Sequence, residues 1–363
     1  MNILYLTNHL DIGGVTSYVL SLAEGMKKRG HTVFLASSGG EMLPFVLEAG
    51  VFFIQIPIKT KQEISPAVFL SLLKLRKIIK EKDVDIIHAN TRVTQVLAAS
   101  LGRFCAKPYI STCHGFFKKR LSRRLWPCWG TKVIAISEAV REHLVKDFKV
   151  KDADVRLIHN GIDVDKFRVQ GSEFRVDKKK KLGLGSGPVV GIVARLSDVK
   201  GHAYLIEAMK FVLEKIPQVQ LLIVGDGKMK QGLVKLVRSL GIEKSVYFIP
   251  AVSDITQVFG AMDLFVMPSL QEGLGLSLMQ AMAVGLPVIG SDVGGIKSLI
   301  KMGENGILVK AADSLILASA ILDLLGDTAQ AKLLGDRARD FIRQNFSLDK
   351  MIQETETVYS SIL

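Results

Sequence analysis

Two basic residues and one acid follow apolar segments that have the length of buried strands. Arg195 comes directly after the apolar segment 189–194, and Lys200 opens the helical pattern that follows. Glu272 lies in a glycine-containing loop after a second apolar segment, 264–267. Burying two cations is costly unless they meet an anion. The three residues therefore predict a site for phosphate or pyrophosphate, the anions that glycine loops and helix N-termini favour.

Plainer interpretations of the same residues stay open. Arg195 could pair with Asp198, and Lys200 could be an ordinary solvated side chain. Glu272 could be an exposed loop acid that the dipole of the following helix stabilises. The cost of burying unpaired charge favours the anion site over these alternatives.

Strand-like and helical patterns alternate along the whole chain. Such alternation is typical of βαβ units with a parallel sheet, whose ligands bind beyond the carboxyl ends of the strands. The predicted strands are 2–7, 32–36, 51–56, 84–88, 108–113, 132–136 and 155–158 in the first half, and 188–194, 219–224, 246–249, 263–267, 287–290 and 307–309 in the second. The main predicted helices are 14–30, 66–82, 137–148, 313–326, 328–345 and 348–361.

Length and charge indicate two domains with different surroundings. The 363 residues, of which 48% are hydrophobic, suffice for two buried cores. The net charge is +13 and uneven: residues 1–175 carry 27 Lys and Arg against 16 Asp and Glu, whereas residues 176–363 carry 21 against 19. The first half is therefore expected to attract an anionic surface or substrate. A polar segment, 170–181, followed by a glycine-rich stretch predicts a domain boundary at 170/171.

The cysteines and the apolar segments argue against several classes of protein. Cys105, Cys113 and Cys128 are odd in number and lack paired metal-ligand spacing, so neither a disulfide framework nor a zinc site is expected. A reducing compartment fits this cysteine usage. The first residues show no signal-peptide pattern, and no uninterrupted apolar run approaches the ~20 residues of a spanning helix. We expect a protein that is soluble or lies on a membrane surface.

The segment 263–298 resembles the signature of family 4 retaining glycosyltransferases, which have the GT-B fold. The matching positions are Ser269, Glu272, Gly273, Gly275, Gly285, Pro287, Val288, Gly294 and Gly295. Two positions depart from the pattern, since Gln280 and Ser298 stand where the family has, or often has, an acid. Further matches follow in order along nearly the whole chain, at Gly13-Gly14, His114-Gly115, Asn160-Gly161-Ile162-Asp163, Ala194-Arg195-Leu196, Lys200-Gly201 and Val224-Gly225-Asp226-Gly227.

The resemblance implies an α/β fold of the GT-B type, with two Rossmann-like, doubly wound parallel-sheet domains facing a cleft. Residues 1–170 would form the acceptor domain, and residues 171–347 the domain that binds the nucleotide-sugar. The C-terminal helix, within 348–363, would cross back onto the first domain. The resemblance also implies a reaction that retains the anomeric configuration. It implies no metal, and no cofactor apart from the nucleotide-diphosphate sugar that serves as the donor substrate.

The resemblance also assigns roles to individual residues. The predicted catalytic residues are Arg195, Lys200, Glu272 and His114. The predicted donor-binding residues are Gly14, Gly225, Gly273, Leu274, Gly275, Leu276 and Gln280. The predicted acceptor-side residues are Gly13 and Thr16. Glutamine at position 280 keeps an acceptor oxygen for ribose hydroxyls but lacks the charge, so we expect it to weaken nucleotide binding by only ~1 kcal/mol.

Several of these positions also have structural interpretations. The Gly13-Gly14 pair could be a mere tight turn, and so could the loop 225–227. His114 could be a capping or core histidine, and Gln280 could be a plain residue on the helix surface. For His88, at the end of a predicted strand, and for the turn at Asn160-Gly161, we favour structural roles.

Two basic stretches suit an anionic membrane surface, where each cation contributes ~1 kcal/mol. Segment 116–126 interleaves lysines and arginines with phenylalanine, leucine and tryptophan, and segment 66–82 has five basic residues beside apolar ones. An ordinary solvated helix face explains segment 66–82 at least as well. Nucleic acid is not expected as a partner, because no DNA- or RNA-binding pattern accompanies the charge.

We therefore predict a retaining glycosyltransferase that moves a sugar from a nucleotide-diphosphate sugar to a glycan or lipid-linked acceptor. Envelope polysaccharide or lipopolysaccharide assembly is the expected setting, in the cytoplasm or peripherally on the inner face of the cell membrane. A sugar-nucleotide epimerase of the same fold and a non-catalytic binding subunit remain alternatives, the second because of Gln280 and Ser298. A dehydrogenase is disfavoured because no dinucleotide-binding glycine pattern follows a strand.

Overall fold

The computed structural model describes residues 1–167 and 177–363, which form two compact units. The first unit comprises Met1–Gly161 and Leu348–Leu363, and the second comprises Ile162–Ser347. The domain boundary predicted at 170/171 lies outside the described residues. The C-terminal segment that was expected to return to the first domain belongs to the first unit.

The first unit is built on a seven-stranded parallel sheet with the strand order β3-β2-β1-β4-β5-β6-β7. Its strands are β1 (Asn2–Leu6), β2 (Thr32–Ser37), β3 (Phe52–Gln55), β4 (Ile86–Ala89), β5 (Tyr109–Cys113), β6 (Lys132–Ala135) and β7 (Val155–Leu157). Its helices are α1 (Gly14–Lys28), α2 (Leu43–Glu48), α3 (Pro66–Glu81), α4 (Arg92–Cys105), α5 (Leu121–Leu125), α6 (Glu138–Phe148) and, at the end of the chain, α14 (Leu348–Ser360).

Strand β1 shows why this sheet is covered on both faces. Ile3 and Tyr5 pack on one side with residues of α1 and α14. Leu4 and Leu6 pack on the other side with residues of α3 and α4. A strand that is buried on both faces needs an apolar residue at nearly every position, which explains the continuous apolar run at the start of the sequence.

The last helix, α14, is held on the first unit by close packing and by charge. A side chain at Gly25 of α1 would collide with Ile352 of α14, so the glycine leaves the space that the isoleucine fills. Glu356 of α14 pairs with Arg29 at 2.8 Å and with the Nε2 atom of His31 at 2.6 Å. The helix is therefore part of the first unit's structure although it is the last element of the chain.

The second unit is built on a six-stranded parallel sheet with the strand order β10-β9-β8-β11-β12-β13. Its strands are β8 (Val189–Val193), β9 (Gln220–Val224), β10 (Val246–Ile249), β11 (Leu264–Met267), β12 (Val288–Ser291) and β13 (Ile307–Val309). Its helices are α7 (His202–Lys215), α8 (Lys230–Ser239), α9 (Thr256–Gly260), α10 (Leu276–Val284), α11 (Ile296–Leu299), α12 (Ser314–Gly326) and α13 (Thr328–Asn345). Short 3-10 turns are Asp152–Asp154 in the first unit and Val164–Phe167, Asp198–Lys200 and Glu243–Ser245 in the second.

Each sheet has one place where the strand order reverses direction. In the first sheet it lies between β1 and β4, and in the second between β8 and β11. The connections on either side of such a place run over opposite faces, which opens a crevice beyond the carboxyl ends of the two strands. The predicted strands are all present with bounds within two residues, and the predicted doubly wound α/β fold class is confirmed.

Among the described residues, no single helix is long and apolar enough to cross a membrane. Helices α12 and α13 reach that length and hydropathy only as a pair, and they are bent by 100° at their junction. Leu317, Ile321 and Leu324 of α12 lie in the core of the second unit, which accounts for the apolar character of this helix.

Candidate active site

Lys200 and Glu272 form an ion pair beyond the carboxyl ends of β8 and β11. The Lys200 Nζ atom lies 2.5 Å from the Glu272 Oε2 atom, and the Ser269 hydroxyl donates to the same oxygen at 3.4 Å. The two charged side chains are only 20% and 11% exposed. Each charge is tolerated in this half-buried place because the other one faces it. The structure thus brings two of the predicted catalytic residues together at the crevice of the second sheet.

The loops that carry this ion pair are packed against each other. The Leu270 amide donates to the Val199 carbonyl at 2.8 Å. Gly201, the residue before α7, has a left-handed φ of 71°, and a side chain there would collide with the Pro268 carbonyl. Only glycine meets both conditions, so this residue fixes how closely the two loops approach.

A second glycine loop holds the backbone around Glu272. The Gly295 amide donates to the Glu272 carbonyl at 3.0 Å. A side chain at Gly294 would collide with the same carbonyl, and one at Gly295 would collide with the Gly273 carbonyl. Helix α10 begins after Gly275, whose φ is 100°. The free N–H groups at the start of α10 favour a bound anion near the ion pair.

The remaining predicted donor residues of this region lie on or beside α10. Leu274 is buried, Leu276 is the first residue of the helix, and Gln280 is half-buried within it. The Ser298 hydroxyl donates to the Gly295 carbonyl at 3.0 Å, so it stabilises the short helix α11 from within. Of the two departures from the family pattern, Ser298 therefore has a local structural contact.

Arg195 follows β8 and is exposed, in contrast to the ion-paired residues. Within the described part of the chain, its guanidinium makes no hydrogen bond and no ion pair. The alternative pairing with Asp198 is therefore not formed. A guanidinium without a partner at the rim of a doubly wound sheet is available to an anionic ligand.

The loop after β9 supports the backbone beside Arg195. The Leu196 amide donates to the Asp226 carbonyl at 2.9 Å. A side chain at Gly225, whose φ is 142°, would collide with the Ala194 carbonyl. Glycine is required at 225 for this close approach. A donor-binding role for Gly225 stays a prediction.

Two buried polar side chains beside Lys200 do not follow from the sequence patterns. His202 is 2% exposed, and neither of its ring nitrogens has a hydrogen-bond partner among the described residues. The Ser197 hydroxyl is also buried without a hydrogen-bond partner among the described residues. Burial, and to a smaller extent the charge of Lys200, lowers the pKa of His202 to about 4, so the ring is neutral at pH 7. In the sequence, the position of His202 after Lys200-Gly201 predicts the start of a helix. It does not indicate that the imidazole ring is buried.

In the first unit, the loop after β1 leads into α1 through two glycines. Gly13 precedes α1 and Gly14 is its first residue, and open space surrounds the places where their side chains would stand. Open space at a helix N-terminus admits a ligand close to the backbone. Thr16 is buried, and its hydroxyl donates to the Asp11 carbonyl at 2.7 Å. Its predicted acceptor-side role is untested, and its hydroxyl proton already has a structural partner.

His114 follows β5 and lies against two polar neighbours. Its Nε2 atom is 3.2 Å from the Asn90 Oδ1 atom, and its ring meets the Tyr18 ring edge-on at 4.7 Å. The Asn90 amide nitrogen faces the carbonyls of Leu6 and His88, so its oxygen accepts from His114 and Nε2 carries the proton. Desolvation lowers the pKa of His114 to about 3 although part of the side chain reaches solvent. The ring is therefore neutral at pH 7, with Nδ1 as an acceptor.

His88 lies at the centre of a buried chain of hydrogen bonds, as its predicted structural role requires. Its Nδ1 atom is 2.6 Å from the Tyr359 hydroxyl, and its Nε2 atom is 2.7 Å from the Thr112 hydroxyl. The Tyr359 hydroxyl also lies 2.9 Å from that of Tyr5, and the Thr112 hydroxyl lies 3.2 Å from that of Tyr18. This chain joins α14 to the sheet and to α1.

His88 should make the stability of the protein depend on pH in the acid range. Burial, and secondarily the neighbouring His114, lowers the pKa of His88 to about 3 from an ordinary value of 6.5. The unfolded chain therefore binds more protons than the folded chain between these two pH values. The free energy of unfolding is expected to fall as the pH drops below 6.5, with this histidine contributing up to ~1.4 kcal/mol per pH unit. Urea unfolding at a series of pH values from 7.5 to 4.5 measures the slope.

The His88→Gln variant should show a shallower slope than the wild-type protein, whatever its absolute stability. The His9→Gln variant, which changes an exposed histidine, is the matched control and should keep the wild-type slope. Equal slopes in the wild type and the His88→Gln variant would contradict a buried neutral histidine.

The three cysteines are free thiols, at Cys105, Cys113 and Cys128. Burial raises the pKa of the Cys113 thiol to about 12, so it remains protonated at neutral pH. Within residues 1–167 and 177–363, no group of three or more His, Cys, Asp and Glu side chains could hold a metal ion.

Both halves of the chain match models of known protein families. The family described as "Glycosyltransferase Family 4" matches residues 12–166, and the family described as "Glycosyl transferases group 1" matches residues 174–341. The second match includes the loops that hold the ion pair and the glycine loop beside it.

Relatives and solved structures match over most of the chain. An uncharacterized glycosyltransferase of Methanocaldococcus jannaschii is 27% identical, over 96% of this chain and 94% of its own. The UDP-Gal:alpha-D-GlcNAc-diphosphoundecaprenol alpha-1,3-galactosyltransferase of Escherichia coli is 31% identical, over 66% of each chain. Among solved structures, HepE of Anabaena in complex with UDP-glucose has a TM-score of 0.89 and 25% identity, over 99% of this chain and 100% of its own. The two doubly wound units, the matches to both family models and these likenesses agree, and the chain belongs to the group 1 and family 4 glycosyltransferases with the GT-B fold.

Proposed function

We propose that this glycosyltransferase moves a sugar from a nucleoside-diphosphate sugar to a glycan or lipid-linked acceptor. The main support is the half-buried ion pair of Lys200 and Glu272 beyond β8 and β11, with the unpaired Arg195 on the same strand end. In this proposal Lys200 and Arg195 bind the diphosphate, and Glu272 accepts hydrogen bonds from hydroxyls of the sugar. The N-terminus of α10 adds N–H donors, and Gln280 binds the ribose.

The chemistry of the proposed reaction needs little beyond these charges. The acceptor hydroxyl attacks the anomeric carbon, the bond from that carbon to the diphosphate oxygen breaks, and an oxygen of the leaving diphosphate takes the hydroxyl proton. Attack from the face that the diphosphate leaves retains the anomeric configuration. Cations and helix N–H groups that are in place before the reaction stabilise the charge on the leaving group, which is the work that a metal ion does in other transferases. We propose that no metal or cofactor takes part.

The neutral His114 suits a role beside the reacting sugar. Its Nδ1 atom can accept a hydrogen bond from a hydroxyl at pH 7, because desolvation keeps the ring from being protonated. Gly13 and Gly14, with open space above them, would let the acceptor and the donor phosphate approach the start of α1. We propose that Thr16 acts on the acceptor side indirectly, because its hydrogen bond to the Asp11 carbonyl holds the loop before α1.

A donor screen tests the proposal most directly. Purified protein is incubated with UDP-, GDP-, dTDP- and ADP-sugars, and the released diphosphate is measured with and without a lipid extract as a source of acceptor. A transferase should release diphosphate with one donor and should do so faster when the acceptor is present. Epimerised donor without any transfer would instead identify an epimerase. Absence of diphosphate binding by calorimetry would identify a non-catalytic subunit.

The relatives narrow the donors and acceptors that are worth testing first. HepE was solved with UDP-glucose, and the name of the Escherichia coli relative gives UDP-galactose as donor and a sugar-diphosphoundecaprenol as acceptor. We propose a UDP-sugar donor and an envelope glycan pathway, such as polysaccharide or lipopolysaccharide assembly, for this chain.

We also propose that the first unit lies peripherally on an anionic membrane surface on the cytoplasmic side. In segment 116–126, Leu121, Leu125 and Trp126 are more than 60% exposed, and the exposed cations Lys118, Lys119, Arg120 and Arg124 lie beside them. Exposed apolar side chains beside cations suit the boundary between headgroups and acyl chains.

Flotation with vesicles tests the membrane part separately. The protein should float with vesicles that contain 30% phosphatidylglycerol, should stay at the bottom with pure phosphatidylcholine, and should be released by 0.5 M NaCl. Absence of salt-sensitive flotation would remove the membrane proposal and leave the transferase proposal standing.

A further inference from the structure

The inner side of segment 116–126 holds an arginine that is turned away from solvent. Arg123 is 6% exposed, whereas its neighbours Arg124 and Leu125 are exposed. Its guanidinium carbon lies 3.9 Å from the centre of the Phe117 ring and 5.4 Å from that of the Trp129 ring. Aromatic rings attract the cation, but they do not replace the acceptors that its N–H groups need.

Glu63 forms an ion pair with Arg92 in this place and interacts with Arg123 through its charge. The Arg92 Nη2 atom donates to the Glu63 Oε2 atom at 2.8 Å, and both side chains are mostly buried. The hydrogen bond from Arg92 holds the pKa of Glu63 below its usual value, and the charge of Arg123 contributes. Burial and repulsion from Arg92 lower the pKa of Arg123 to about 10, so it stays charged at pH 7. The cluster of Glu63, Arg92 and Arg123 therefore has one positive charge in excess, which is costly in a buried place.

Three hydrogen-bond donors at this cluster are buried without an acceptor. They are the Nη1 atom of Arg123, the Nε atom of Arg92 and the Nε1 atom of Trp129, and none has a partner among the described residues. The other nitrogens of Arg92 donate to the carbonyls of Trp126 and Pro127 at 2.7 and 2.8 Å. Arg92 therefore lies beside the chain segment that also carries Arg123 and Trp129. Buried donors without a partner are rare and destabilising in folded proteins. An anionic oxygen would satisfy these donors and balance the excess charge.

We propose that Arg92, Arg123 and Trp129 bind a phosphate group of the acceptor. This rests on the proposed function, because it identifies the acceptor of the transferase as a phosphorylated molecule. A phosphate group suits the site since it accepts hydrogen bonds on several oxygens and matches the forked geometry of guanidinium groups.

Two sources of such a phosphate are compatible with the site. A soluble phosphorylated sugar or polyol would use the buried donors alone. A lipid phosphate would also place its hydrocarbon tail against the exposed Leu121, Leu125 and Trp126 on the outer side of the same segment. Glycerol 3-phosphate and dihexanoyl phosphatidate, both soluble as monomers, represent the two sources, and glycerol is the uncharged control.

Binding of these probes to the full-length protein tests the site, with saturating UDP present to fill the proposed donor site. We expect both phosphates to bind in calorimetry and glycerol not to bind. The Arg123→Gln variant should bind them at least tenfold more weakly. The Arg124→Gln variant changes net charge equally but on the exposed neighbour, so its affinity for the soluble probe, glycerol 3-phosphate, should stay within twofold of the wild type. Tighter binding of phosphatidate than of glycerol 3-phosphate assigns a lipid phosphate, and equal binding assigns a soluble one.

Equal weakening by both substitutions would overturn the proposal, because it would show a diffuse effect of charge.

Arg123 supports an aromatic cluster, so the Arg123→Gln variant could unfold, and a second measurement that leaves residue 123 unchanged is needed. The sequence has two tryptophans, and the Trp126→Phe variant leaves Trp129 as the only one. The fluorescence emission of Trp129 in this variant should change, and reach saturation, as glycerol 3-phosphate is added, but should not change with glycerol. If the emission does not change with glycerol 3-phosphate, the cluster has only a structural role and the proposal is wrong. UDP binding to each variant is measured in a separate titration without the probes, so failure of the donor site is seen independently.

Discussion

Replacement of Lys200 by methionine is expected to lower kcat/KM for sugar transfer about 10²–10³-fold, the usual loss for one preorganised group that stabilises a leaving charge. Methionine keeps much of the length of the side chain and removes its charge. The partner, Glu272, is only 11% exposed and would be left without its counter-charge, which is costly for a mostly buried carboxylate. Both the diphosphate and the sugar would then lose contacts. Initial rates over a range of donor concentrations give kcat and KM separately.

The matched control for this variant is Lys332→Met, which changes an exposed lysine on α13. We expect it to stay within twofold of the wild type, and thermal unfolding of both variants checks that they are folded. Because Lys200 and Glu272 act on each other, the loss in a Lys200→Met/Glu272→Gln double variant should be smaller than the product of the single losses. Equal kcat/KM in the Lys200→Met and Lys332→Met variants would contradict a catalytic ion pair.

The fold is largely predictable from this sequence because the strands in the interior of both sheets are buried on both faces. Strand β9, Gln220–Val224, is buried at every position, and after Gln220 it is an unbroken apolar run. Short helices carry a weaker signal. Helix α11, Ile296–Leu299, has only four residues, which cannot show a period of 3.6 residues.

The place of the candidate site is predictable, but its contacts are not. Lys200 and Glu272 are 72 residues apart, and they meet because the carboxyl ends of adjacent parallel strands lie at one edge of the sheet. The choice of Lys200 over Arg195 as the partner of Glu272 depends on how closely the two loops approach. That approach is set by a backbone contact at Gly201, which no pattern of hydrophobic residues records.

Buried polar clusters are the part of this molecule that sequence patterns describe least well. Glu63, Arg92 and Arg123 come from three separate segments, and charged residues are exposed in most proteins. The basic segment 116–126 is accordingly predicted as a surface, although Arg123 within it is turned inward. The burial of Arg123 and the positions of the surrounding aromatic rings show that one of its cations lies in the interior.

The contribution of α14 to the first unit should be large and should depend on Tyr359. This side chain is fully buried, and its hydroxyl joins His88 to Tyr5. The Tyr359→Ala variant is expected to lose ~3–5 kcal/mol of the free energy of unfolding, as large aromatic residues do when they leave a cavity. The Tyr359→Phe variant keeps the ring but leaves His88 and the Tyr5 hydroxyl each short of a partner, so it should lose ~1–3 kcal/mol.

Urea unfolding of full-length variants, followed by circular dichroism, measures these losses. The neighbouring exposed Ser360 provides the control, and its Ser360→Ala variant should stay within ~0.5 kcal/mol of the wild type, as surface substitutions usually do. The Tyr359→Phe variant is the more specific test, because it removes only the hydroxyl oxygen and leaves the packing of the ring unchanged. A loss near zero would mean that the hydroxyl contributes nothing to the chain of hydrogen bonds and that α14 is held by apolar contacts and by the ion pairs of Glu356 alone. A clear loss in Tyr359→Phe, with Ser360→Ala unchanged, would mean that the buried polar network itself ties the last helix to the sheet.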